Sequence, residues 1–279
     1  MNLTFFEAIQ INPLLLYALT AGLLASIVGG IIGSYVVVKR IVFITGSIAH
    51  SVLGGIGFFL WLARTQGWEG LNPLYGAFLA AALSALLIGW INLNWKQRED
   101  SAIAALWSIG MAIGILFISQ TPGFNVELTN FLIGNILWVT PQDLLLLALC
   151  DGAVILSVLL LHKRFLALSF DENQARLQGE PTRLLHMILL LLTSLSVVLL
   201  IQIVGIILVM TMMAIPAAIA NLFTQRLSTM MLLAILFNIS FCFFGTYLSY
   251  SADWPAGATI ALTAGAAYLA SLPLNKRTA

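Results

Sequence analysis

The sequence predicts an all-α fold, a polytopic transmembrane helical bundle of eight or nine spans. Three observations carry that reading. Hydrophobic residues make up 61% of the 279 and charged residues only 8%, whereas a soluble domain is about one-quarter charged. Apolar runs close to the length a helix needs to cross the hydrocarbon recur along the whole chain. The few charges fall mostly between those runs, so lipid replaces water as solvent for most of the surface.

The runs lie at 13–38, 46–63, 73–94, 102–119, 142–161, 184–224, 228–249 and 255–272. Helix is required, because lipid satisfies no open sheet edge. The run 184–224 is twice one span, so it holds a helix and a returning segment, which leaves the count at eight or nine. Pro216 is expected to break the returning helix, since proline removes a backbone donor. Residues 120–141 form a connection with a patch too short to cross, and Trp138 suits an interface. Residues 165–183 form the longest hydrophilic segment. The organisation expected is one transmembrane permease domain over 1–279.

Basic residues orient the bundle. With the N-terminus outside and the C-terminus in the cytoplasm, Lys39, Arg40, Lys96, Arg98, Lys163, Arg164, Arg176, Arg183, Arg226, Lys276 and Arg277 share the inner face. Of the twelve basic residues, Arg64 alone falls outside. The outer face then carries Glu7, Glu69, Glu127, Asp143 and Asp253, which makes the mouth mildly attractive to cations; Glu127 and Asp143 stand nearest to it, either guiding an ion or as ordinary loop acids. The first segment lacks a basic start and is too long for a signal peptide's apolar region. A net charge of +1 gives no sign of nucleic acid as a partner. Cys150 and Cys242 lie in apolar runs and read as packed thiols.

No Walker motif or Gly-rich nucleotide loop is present, so any ATP-driven step belongs to another chain. His50 stands ten residues past the Lys39–Arg40 pair, about three turns into the second span. Imidazole ligates zinc and other first-row divalent ions well, and an ionisable group at that depth needs a use or a partner. Asp151, in the middle of the fifth span, is the second intramembrane group, either a ligand or a structural acid. His162 and His186 read as interfacial, and Met210, Met212 and Met213 as core. Gly29, Gly30 and Gly33 on the first span, with Gly54, Gly55 and Gly57 on the second, read as close helix contacts.

Three stretches carry a family resemblance: GSYVVVKRIVFITGSIAHSVLGG (33–55), AALWSIGMAIGILFIS (104–119), and SFDENQARLQG with VGIILVMTMMAIPAAIA (169–179 and 204–220). In order and spacing the chain resembles the membrane permease subunits of ATP-binding-cassette importers for zinc, manganese or iron(II), the family fed by cluster A-I metal-binding proteins. The resemblance implies a type II importer-like fold and a pore made by two copies of the permease. It also implies a cytoplasmic ATPase, an extracytoplasmic metal-binding protein and residence in a bacterial inner membrane. The subunit itself would be no enzyme and hold no permanent cofactor; the divalent metal is cargo. His50 matches the family's transient metal contact. Many relatives carry an aspartate one turn before it, where this chain has Gly46, and losing a hard oxygen ligand favours zinc over manganese.

Two segments are candidates for ATPase coupling. Ala175 and Gly179 match the Ala-x-x-x-Gly core of importer coupling loops. The segment from Pro216 through Ala217 and Arg226 to Ser228 is favoured as the docking helix by analogy with larger vitamin B12 and siderophore importers. A secondary transporter driven by an ion gradient is the alternative. It predicts intramembrane acid–base pairs and inverted repeats, against one mid-membrane acid and no obvious repeat here. An intramembrane protease needs a Ser–His or His-Glu-x-x-His set, which is not convincingly spaced.

Overall fold

The computed structural model describes residues 5–68, 70–94, 99–123, 136 and 139–274, and among these it holds ten α-helices and no strand. They are α1 (Phe5–Ile11), α2 (Pro13–Val38), α3 (Val42–Thr65), α4 (Pro73–Asn94), α5 (Glu99–Ser119), α6 (Pro141–Phe170), α7 (Glu172–Leu177), α8 (Thr182–Phe223), α9 (Leu227–Ala252) and α10 (Ala256–Ser271). Eight are long and apolar enough to cross a membrane, as the hydropathy predicts. Lys96, Arg98, Glu127, Trp138, Lys276 and Arg277 lie outside the described residues.

Local chemistry sets where several spans start. Proline stands at the first position of α2, α4 and α6, where its missing N–H costs nothing. The residue before it supplies a cap. Asn12 Oδ1 accepts from the Leu14 N–H at 3.0 Å, and Asn72 Oδ1 from the Leu74 N–H at 2.9 Å. At α6, Thr140 and Asp143 exchange hydrogen bonds in a capping box.

The chain forms two compact units. One comprises residues 39–128 and 161–198. In it α3 packs between α4 and α5 through small residues. A Cβ on Gly55 would strike the Gly76 carbonyl, while Gly54 and Gly57 lie against the carbonyls of Gly110 and Gly114. Residues rise together along α3 and α5: Ser47 Oγ donates to the Ile103 carbonyl at 3.0 Å, and Ser51 Oγ, which donates to the Ser47 carbonyl of its own helix at 2.8 Å, lies 3.3 Å from that of Leu106. These two helices are therefore parallel, in fixed register.

The other unit comprises residues 1–38, 129–160 and 199–279. Here α2 runs antiparallel to α9, with Gly22 beside Cys242, Gly29 beside Asn238 and Gly30 against Ile235. The small-residue contacts expected on the first two spans are thus present. Both cysteines are free thiols; Ser26 Oγ donates to Cys242 Sγ at 3.7 Å.

Helix α8 has 42 residues. At 1.5 Å per residue it would measure about 63 Å, roughly two bilayer cores. Its interruption falls at Gly205, at φ 78° and ψ 166°, where two helices meet across a kink. Backbone of that hand is open only to glycine in practice. The expectation that Pro216 breaks the returning helix is corrected: the helix runs through Pro216 to Phe223. Proline deprives the carbonyl four residues earlier, Met212, of its helical donor. The buried Asn238 amide supplies another at 2.9 Å.

Candidate functional site

His50 sits on the α3 face that meets α5. Its imidazole stacks on the Trp107 indole with centroids 4.2 Å apart and planes inclined by 15°. His50 Nδ1 is buried and makes no hydrogen bond. The indole Nε1–H donates instead to Met111 Sδ at 3.2 Å. Trp107 also lines a cavity of about 320 Å³ with Phe43, Asp100, Ile103 and Ala104. A ring nitrogen buried without a hydrogen bond inside an apolar span is an unmet polar group that calls for an explanation.

Asp151 belongs to the other unit. It lies on the inner stripe of α6 with Leu147, Val154 and Val158, 2% exposed. Neither carboxylate oxygen has a hydrogen-bond partner. An acid buried this way inside a span is costly unless it has a use or a partner. Among the described residues, no three His, Cys, Asp or Glu side chains cluster to hold a resident metal.

Asp143 has no oxygen to spare. Oδ2 accepts from the Thr140 N–H at 3.0 Å and the Thr140 hydroxyl at 2.6 Å, and Oδ1 accepts from Gln202 Nε2 at 2.9 Å. His186 is buried in the protein at 4% exposure, with neither ring nitrogen hydrogen-bonded. Sequence position near a span's end does not reveal which face of the helix a residue occupies.

The Ala175–Gly179 spacing has a structural explanation. Asp171 caps α7 by accepting from the Gln174 N–H at 2.9 Å. The chain turns out of the helix at Gly179, two residues past its last member, at φ 83°. There the Gly179 N–H donates to the Arg176 carbonyl and the Glu180 N–H to that of Ala175, both at 3.1 Å. This pair of bonds is a Schellman closure, which needs a left-handed residue at the glycine position. Lys39 pairs with Glu172 and Arg164 with Glu180, each at 3.4 Å, so ion pairs hold both flanks of α7. Beside it opens a cavity of about 940 Å³ lined by Glu172, Arg176, Glu180 and Arg183 among others. In the second segment Pro216 and Ala217 are buried within α8, and Thr224–Arg226 form a short exposed-to-half-exposed turn.

A polytopic helical membrane protein with unpartnered polar groups inside its spans has the build of a transport subunit. The ABC 3 transport family matches residues 12–275, and this chain belongs to that family, the one its three motifs resemble. It is 48% identical to a probable metal transport system membrane protein of Chlamydia pneumoniae, over 95% of this chain and 90% of that one. It is 34% identical to the manganese transport system membrane protein MntC of Halalkalibacterium halodurans, over 94% and 88%. Among solved structures it is similar to PsaBC from Streptococcus pneumoniae in complex with Fab. That match has a TM-score of 0.84 and 31% identity, and covers 96% of this chain and 94% of that one. An inward-facing putative metal-chelate type ABC transporter shares the fold at a TM-score of 0.67 and 17% identity, over 93% and 85%.

Trp107 is the site residue that sequence reasoning missed. Its motif was visible, but its partner lies 57 positions away, and only the parallel register of α3 and α5 brings the two rings together.

Proposed function

We propose that the chain is the pore-forming permease subunit of an ATP-driven importer of a divalent transition metal, with zinc as the favoured cargo. His50 carries this reading: a stacked imidazole whose Nδ1 is buried without a hydrogen bond inside a span. Asp151, with both oxygens bare, is a second candidate contact in its own unit. The names of its relatives support metal as the class of cargo, and that of MntC favours manganese. Gly46 argues the other way, because it leaves no carboxylate one turn from His50, and carboxylates suit manganese better than imidazole does.

In this reading two copies form the pore in a bacterial inner membrane, each a single permease domain with its N-terminus outside. A separate ATPase hydrolyses ATP, and an extracytoplasmic protein delivers the metal. The Ala175–Gly179 segment is one ATPase-facing candidate, on a short helix capped at both ends and flanked by ion pairs. The turn at Arg226 offers a second contact, with Pro216 and Ala217 behind it in α8. Asp143 serves the outer mouth chiefly by fixing the start of α6, and Glu127 contributes negative charge.

Uptake of zinc and manganese by cells expressing His50→Ala and His50→Gln tests the assignment. Both variants should lose most zinc uptake at unchanged protein level, since glutamine keeps a hydrogen-bonding group but is a poor zinc ligand. Full uptake by the glutamine variant would make His50 structural and remove the metal reading's chemical support.

A further inference from the structure

The stacked pair suggests a division of labour. We propose that Trp107 is the positioning residue of His50: it covers one face of the imidazole and fixes the plane of the ring, and so the direction in which its nitrogens meet the passing cation. This rests on the metal reading above and deepens it.

Metals bind imidazole in the plane of the ring, along a nitrogen lone pair. A partner stacked on the face therefore does not occupy the coordinating direction, while it removes rotamer freedom. An indole that donated to Nδ1 would block the site. Here its single N–H is committed to Met111 Sδ on the same helix, one turn on. The ring is thus a donor-free wall toward His50.

The stack is also not an accident of two flexible side chains. The Ser47 hydrogen bond to the Ile103 carbonyl pins the register one turn before His50, and Ser51 Oγ sits 3.3 Å from the Leu106 carbonyl just after it. Glycine contacts at Gly54–Gly110 and Gly57–Gly114 continue it along the helices. A shift of one residue would rotate Trp107 by about 100° around α5 and away from the imidazole. The indole also lines the cavity that Asp100 helps to form, and His50 does not.

The test is initial-rate uptake of radioactive zinc, over a range of zinc concentrations, by cells expressing the full-length chain. Trp107→Phe and Trp107→Tyr keep a stacking ring and should stay within about twofold of the parent in half-saturating concentration. Trp107→Leu and Trp107→Met keep bulk and apolarity but lose the ring. They should raise that concentration about three- to tenfold, the range aromatic stacking supports, with a smaller change in maximal rate. Protein level in the membrane and thermal midpoint are read for all four. Parental kinetics in the leucine and methionine variants would overturn the proposal. Equal losses in ring-bearing and ringless variants, tracking the thermal midpoint, would also overturn it by assigning Trp107 to packing alone. The His50→Gln variant separates the two levels of argument. If it loses uptake while Trp107→Leu does not, the metal reading stands and only the positioning role falls.

Discussion

The side-chain amide of Asn238 on α9 donates to the main-chain carbonyl of Met212 on α8 at 2.9 Å. That carbonyl stands four residues before Pro216 and is the one proline leaves without a helical donor. Gly29 makes room for the pair: a Cβ there would lie 3.2 Å from Asn238 Nδ2 and 3.3 Å from the Met212 oxygen. A helix that proline would end in isolation is thus carried onward by a partner 26 residues away.

Replacing Asn238 with leucine should therefore cost about 1–3 kcal/mol, the usual penalty for a buried carbonyl left unsatisfied. Restoring the helical donor with Pro216→Ala should shrink that cost. The double-mutant cycle, read by thermal unfolding in detergent, would show coupling between the two sites. Additive effects would show that Asn238 does something else.

Asp151 offers the opposite trade. Its unpartnered carboxyl inside a span is a burden on stability. Asp151→Leu should raise the thermal midpoint, by an amount equivalent to about 1–3 kcal/mol, while lowering metal uptake. A variant that is more stable and fully active would mark the acid as incidental.

At Gly179 the surroundings are open, so a side chain meets no obstacle there; only the left-handed backbone constrains the position. Asparagine tolerates that conformation and should preserve function. Gly179→Arg adds a bulky charge to the surface assigned to the ATPase, and it should depress transport-linked ATP hydrolysis well below the asparagine variant. Equal hydrolysis by the two would place the docking surface elsewhere.

Orientation is open to direct chemistry. Lys163 and Arg226 are both exposed, and single cysteines there, in a background lacking Cys150 and Cys242, should resist a membrane-impermeant thiol reagent in intact cells. Labelling of both from outside would invert the topology.

Much of the architecture was legible in the chain. Hydropathy is a property of each run by itself, so eight helices of spanning length follow from composition and periodicity, whatever they touch. Proline, asparagine and threonine at the starts of α2, α4 and α6 act within a few residues of where they stand, and so does Gly179 at the end of α7. His50 drew notice because an imidazole deep in an apolar run is conspicuous without any partner. What the tertiary structure alone decided are the contacts that depend on how one helix registers against another. Those are the indole laid on His50, Gln202 taking the free oxygen of Asp143, and the burial of His186. The survival of α8 through Pro216, with the break moved to Gly205, belongs with them. Each depends on side chains on separate helices, whose register against one another no single segment encodes.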